Sequence, residues 1–125
     1  MAARIGFDIG SDTVKIVIIG ENNTINSLPI LSIKGQPMLR VKEALEKVTE
    51  FISDMDVKCA VTGSGASTLK DIIGSDIVHE PNALAAAIDY LYPDVRTVIE
   101  MGRESQKYLL FERDSMSGDV YKRQP

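Results

Sequence analysis

Two β-rich runs near the N-terminus, Arg4–Ile9 and Val14–Ile19, are separated only by Gly10, Ser11, Asp12 and Thr13. In the first, Ile5, Phe7 and Ile9 alternate with smaller or polar residues, and the second is almost continuously apolar, as suits strands buried in a sheet. So short a gap with a glycine in it reads as a hairpin with a tight turn. The period then changes. Over Pro37–Met55, Leu39, Val41, Leu45, Val48, Phe51 and Ile52 recur near helical spacing, with Lys42, Glu43, Glu46, Lys47 and Glu50 on the outer side. A hairpin followed by an amphipathic helix commits the chain to a mixed α/β fold.

The remaining elements fill in that plan. A third strand is expected over Thr24–Ile33, with Pro29 marking an edge or a bulge because proline cannot donate to a ladder. Strand character returns over Val57–Thr62, followed by a short helix over Ser67–Ile73 and a short strand over Asp76–His79. Alanine-rich Asn82–Leu91 is a helix ending near Pro93. Val95–Met101 and Gln106–Glu112, joined by Gly102–Ser105, form a second strand pair. The order strand, strand, strand, helix, strand, helix, strand, helix is that of a ribonuclease H-like lobe, a mixed sheet flanked by helices, and the second hairpin repeats its opening. The expected divisions are a first lobe over residues 1–93, the start of a second lobe over 94–114, and a tail over 115–125.

The tail reads as foreign. Asp119-Val120-Tyr121-Lys122-Arg123-Gln124 is what the codons GAT GTG TAT AAG AGA CAG encode, a string resembling the transposon end used in preparing sequencing libraries. The natural frame is expected to leave this sequence between Asp114 and Gly118 and to continue differently.

Composition narrows the function classes. With Lys+Arg 14 against Asp+Glu 18, the net charge of -4 offers no basic excess for neutralising a nucleic-acid backbone. No apolar run approaches the roughly 20 residues that span a bilayer, and the N-terminus lacks an export signal. Cys59 is the one cysteine, so no intramolecular disulfide forms, and a cytoplasmic protein is expected. In its strand-like segment Cys59 reads as a small buried hydrophobe rather than a metal ligand.

Three segments carry possible chemistry. In Asp8-Ile9-Gly10-Ser11-Asp12-Thr13-Val14-Lys15, a glycine turn lets backbone N–H groups approach a phosphate, and Ser11 and Thr13 add hydroxyls. Asp8, ending a strand, is placed to hold Mg²⁺ through water, since that ion keeps several waters and takes few carboxylates. Lys15 either reaches the phosphates or rides the strand, and the whole segment is equally a plain hairpin. In the second segment, His79-Glu80-Pro81-Asn82-Ala83-Leu84-Ala85-Ala86-Ala87-Ile88-Asp89-Tyr90, proline suits a first helical turn and small alanines let that helix pack closely. Glu80 is there either a functional carboxylate or a charge beside a helix N-terminus. The lone histidine, His79, reads as structural. The third segment, Val98-Ile99-Glu100-Met101-Gly102-Arg103-Glu104-Ser105-Gln106-Lys107, repeats the first: an acid at a strand end, a glycine turn, a second strand.

These segments carry a resemblance. The first resembles the first phosphate loop of the actin, sugar-kinase and heat-shock-chaperone ATPases, D-hydrophobic-G-[ST]-x-[ST], and the second resembles the chaperones' connecting helix, E-P-x-A-A-A-x-A-Y. Glu100–Lys107 is similar to the E-[LI]-G-G-E-D-A-K loop of the activators of 2-hydroxyacyl-CoA dehydratases and benzoyl-CoA reductases, and Val61-Thr62-Gly63-Ser64-Gly65 to their T-G-S-G turn. The resemblance implies an ATP-hydrolysing activase of anaerobes. Its nucleotide site would include Gly10, Ser11, Asp12, Thr13, Lys15, Gly102 and Lys107, with Asp8, Glu80 and Glu100 arranging Mg²⁺ and water. It further implies a homodimer bridged by a [4Fe-4S] cluster, with cluster ligands lying past this chain, and a dehydratase component as partner. Arg103 stands where the family has its second glycine, and Ser105 where it has aspartate. Arg103 either obstructs the turn or contacts phosphate as a charged donor. Two other readings stay open: a sugar kinase of the same fold, using a carboxylate as base, and a non-catalytic actin-like scaffold. A ribonuclease H-type nuclease is disfavoured, because Asp8 lacks placed carboxylate partners for two metals.

Overall fold

A computed structural model describes residues 2–52, 56–102, 106–113 and 120–123, with the backbone alone described at 73, 107, 112–113 and 120–123. Strands β1 (Ala2–Ile9) and β2 (Thr13–Ile19) pair antiparallel, with Ile9 opposite Val14 at the turn. The expected third strand is divided into β3 (Ile25–Ser27) and β4 (Leu31–Ser32), both paired with β2. Pro29 lies in the break, where its missing N–H interrupts no ladder.

Helix α1 (Pro37–Ile52) leads to β5 (Asp56–Thr62), which pairs parallel with β1. Expected helix residues 53–55 lie outside the described residues. Helix α2 (Ala66–Ile73) then leads to β6 (Asp76–Ile77), parallel to β5. The resulting order β3-β2-β1-β5-β6, with β4 also on β2, is an antiparallel meander extended by two parallel strands through helical crossovers. That is the ribonuclease H-like mixed sheet expected from the pattern of elements.

Register explains the core. Ile5 faces Ile18, Phe7 faces Ile16 and Ile9 faces Val14 across β1 and β2, while Cys59 and Val61 of β5 sit opposite Ile5 and Phe7. These side chains therefore share one face of the sheet. Val41, Ala44 and Val48 of α1 and Ala66 and Leu69 of α2 join them in a single cluster. Phe7, Ile9, Ile16 and Leu69 are almost completely withdrawn from solvent. The opposite face carries Arg4, Gly6 and Asp8 of β1 with Lys15 of β2, of which Asp8 alone is partly buried.

The chain divides into two compact units, Met1–His79 and Glu80–Pro125. The second begins with α3 (Glu80–Leu91) and contains a three-stranded sheet of β7 (Thr97–Met101), β8 (Gln106–Arg113) and β9 (Val120–Arg123). Leu109 and Phe111 are buried on one face of β8. Strand β9 falls within the segment read as a foreign tail. Val120 and Tyr121 have strand propensity, and its backbone pairs with β8 from Leu110↔Arg123 to Arg113↔Val120.

Candidate functional site

The first hairpin places Asp8 at the carboxyl end of β1, with its neighbours fixed by register. Lys15 of β2 stands opposite on one side and Thr62 of β5 on the other. Residues directly paired across strands project to the same face at roughly 5 Å spacing, so Lys15, Asp8 and Thr62 form a row on the face opposite the core cluster that α1 and α2 cover. Lys15 is exposed, and Asp8 and Thr62 are partly buried.

The turn after Asp8 is closed by its own backbone. The Gly10 N–H donates to the Thr13 carbonyl at 2.9 Å, and the Ile33 N–H donates to the Asp12 carbonyl at 2.7 Å, tying the turn to the start of the α1 connection. Gly10 does not adopt a left-handed φ, and a Cβ there would meet only Thr13 O at 3.6 Å. Its amide is occupied, so an anion at this turn would be met by the backbone and hydroxyls of Ser11 through Thr13. Ser11 and Asp12 are exposed and Thr13 partly so.

The glycine demand expected at Gly10 falls instead on the turn between β5 and α2. Gly63 has φ +100, and a Cβ on it would collide with the Ile9 carbonyl and come within 2.7 Å of Asp8 Oδ1. Real Cβ atoms do not approach so closely, so only glycine lets this turn lie against the end of β1. Two residues on, the Gly65 N–H donates to the Ile9 carbonyl at 2.8 Å, and a Cβ on Gly65 would press on Ile9 Cγ2 at 2.6 Å. Thr62–Gly65 is thus built onto the Asp8–Gly10 segment. In the sequence alone this turn carries only a resemblance. The missed signal was the glycine pair directly after a strand that parallel pairing sets beside β1.

In the second unit, Glu100, next to the end of β7, lies opposite Lys107 of β8, and Met101 is opposite Gln106, leaving residues 102–105 as the connection. This register matches the first hairpin, where Asp8 is opposite Lys15 and residues 10–13 connect. Glu100 and Gly102 are exposed. Arg103, Glu104 and Ser105 lie outside the described residues, as therefore does the departure at Arg103. Glu80 opens α3 and is partly buried, with Pro81 in its first turn, where a missing N–H costs nothing.

Metal and cofactor chemistry follow from the donors. Among the described residues no group of three or more His, Cys, Asp or Glu could enclose a metal ion. Asp8 beside an anion-accessible turn suits Mg²⁺, which takes one or two carboxylates and completes its shell with water and phosphate oxygens. Cys59 does not suit an iron–sulfur cluster. It is the chain's sole thiol, packs against the core, and is pushed by burial above the ordinary thiol pKa, which disfavours the thiolate such clusters need. Among the described residues no helix is long and apolar enough to cross a membrane.

No family model matches the chain. It is 26% identical over 116 residues to the (R)-2-hydroxyglutaryl-CoA dehydratase activating ATPase of Acidaminococcus fermentans, a match covering 90% of this chain and 44% of that protein. Among solved structures, component A of the Acidaminococcus fermentans (R)-2-hydroxyglutaryl-CoA dehydratase matches with a TM-score of 0.71 at 22% identity, covering 98% of this chain and 48% of the other. The activator of the 2-hydroxyisocaproyl-CoA dehydratase from Clostridium difficile, solved with bound ADPNP, matches with a TM-score of 0.67 at 23% identity, covering 98% and 46%. An Aquifex aeolicus Ppx/GppA phosphatase matches more distantly, with a TM-score of 0.52 at 14% identity over 98% and 52%. The chain therefore spans about half the length of these proteins. Its hairpin, parallel extension and glycine turn give this chain the fold of these activator structures, and its sequence is similar to that of a dehydratase-activating ATPase.

Proposed function

We propose that this chain supplies nucleotide-binding elements of an ATP-hydrolysing activator of a 2-hydroxyacyl-CoA dehydratase or a related CoA-ester reductase. The observation that carries the reading is the joint built by Asp8–Gly10 and Thr62–Gly65, a strand-end carboxylate beside a compact turn, in a chain whose sequence match is to a dehydratase-activating ATPase. In this reading Ser11, Asp12 and Thr13 meet a phosphate group, Lys15 offsets its charge, and Asp8 holds Mg²⁺ through water. The ion would supply charge neutralisation at the transferring phosphoryl group.

By the resemblance, Glu80 would orient water for hydrolysis, and Glu100, Gly102 and Lys107 would form a second phosphate loop with the pattern of the first. Hydrolysis would then be coupled to delivery of an electron to the dehydratase partner by a homodimer. The electron-carrying cluster would be held by residues outside the described part of this chain.

The test uses the complete natural protein. Calorimetric titration with Mg²⁺ and ATP should show binding, and the protein should activate a dehydratase component only in the presence of ATP. Asp8→Asn should lower Mg²⁺-dependent hydrolysis by about 100-fold, the scale for losing one group that stabilises transition-state charge, without lowering the melting temperature. A complete protein that binds no nucleotide would overturn the proposal.

A further inference from the structure

Thr62 Oγ1 is buried and has no hydrogen-bond partner among the described residues. Leaving a hydroxyl in that condition costs about 1–3 kcal/mol, and valine would fill the same volume on the same β-branched stem without the cost. The fold alone therefore does not explain a hydroxyl at this position. Its location does suggest a use. Thr62 is the direct parallel-strand partner of Asp8, on the face that also carries Lys15. The next residue, Gly63, is the one whose Cβ would fall 2.7 Å from Asp8 Oδ1. The Asp8 carboxylate is thus flanked on the β5 side by a cleared space and an unsatisfied donor.

The other buried orphan atoms have no such setting. Arg40 Nε belongs to a guanidinium whose Nη1 is already held by both oxygens of Glu43, at 2.8 and 2.7 Å, and Ser75 Oγ lies in the connection from α2 to β6.

We infer that Thr62 is a positioning residue for the Asp8 carboxylate, its hydroxyl engaging that group or its bound water when Mg²⁺ and nucleotide enter. The inference rests on the proposed nucleotide site and adds to it a residue that acts through Asp8. An outer hydroxyl of this kind orients the carboxylate so that its remaining lone pairs face the hydrated ion, and removing such a contact typically weakens metal affinity about 10- to 100-fold. Gly63 has a passive part, keeping the carboxylate's approach free of side-chain atoms.

Thr62→Val and Thr62→Ser in the complete natural protein provide the test, read by calorimetric binding of ATP with Mg²⁺ and with EDTA, and by thermal melting. Thr62→Val should weaken binding about 10-fold with Mg²⁺ and leave it unchanged with EDTA. Its melting temperature should hold or rise, since an unsatisfied hydroxyl has been removed. Thr62→Ser should keep the Mg²⁺-dependent affinity to within about threefold, because the donor is retained. If the parent protein binds nucleotide and Thr62→Val binds it equally well with Mg²⁺, the inference falls and the proposed function stands. Equal weakening with and without Mg²⁺, or failure of serine to rescue, also overturns it, since that pattern marks a packing role. Absence of binding by the parent overturns both.

Discussion

Gly63 holds a backbone angle that strains any residue with a β-carbon, and it does so against the carbonyl and carboxylate that close β1. Gly63→Ala should therefore destabilise the fold by on the order of 2–3 kcal/mol, read as a lower urea midpoint, because backbone strain and a steric clash act together. Gly10→Ala, at a position with ordinary φ and only a 3.6 Å contact, should be nearly neutral by the same measurement. The contrast shows what could be read locally. Asp8, Gly10 and Lys15 were legible as a hairpin because strand, turn and strand are contiguous. Thr62 and Gly63 were not assigned to the site, because their closeness to Asp8 depends on pairing between β1 and β5, which lie far apart in sequence with all of α1 between them. Composition cannot report such a contact.

Helix α2 is short, and its hold on the sheet is concentrated in a few side chains. Leu69 is 1% exposed and belongs to the cluster that includes Ile9 and Val61. Leu69→Ala should cost about 2–5 kcal/mol in denaturant unfolding, within the range for a buried leucine whose cavity cannot collapse. Element types followed the periodicity closely, because helical and strand spacing put apolar residues on one face in either case. Boundaries followed it less well. The strand expected over Thr24–Ile33 became β3 and β4, since Pro29 supplies no N–H and the pairing with β2 resumes only after it. The strand expected over Asp76–His79 ends at Ile77, although the Val78 N–H still reaches the Val61 carbonyl at 2.8 Å. Strand β9 was missed because its short alternation sits in a polar, charged segment, and its pairing depends on the edge offered by β8.

At the scale of the molecule, the two units differ in how well they cover their apolar surface. The first gathers its large side chains between one sheet face and two helices. The second leaves Ile99 69% and Met101 79% exposed, and register sets Tyr108 and Leu110 on the same sheet face. A contiguous apolar sheet face of this kind promotes association. The chain expressed as it stands should elute from size exclusion as a concentration-dependent oligomer, and Ile99→Lys should shift it toward monomer. A monomeric parent at high concentration would refute this. The net charge of -4 is too small to keep such faces apart at physiological salt. The joint in the first unit has a mechanical side as well. Because the amide of Gly65 grips the Ile9 carbonyl and no side chain separates the two backbones, α2 cannot tilt like a free lever. Any push delivered to that helix must be passed directly to the tip of the strand bearing Asp8.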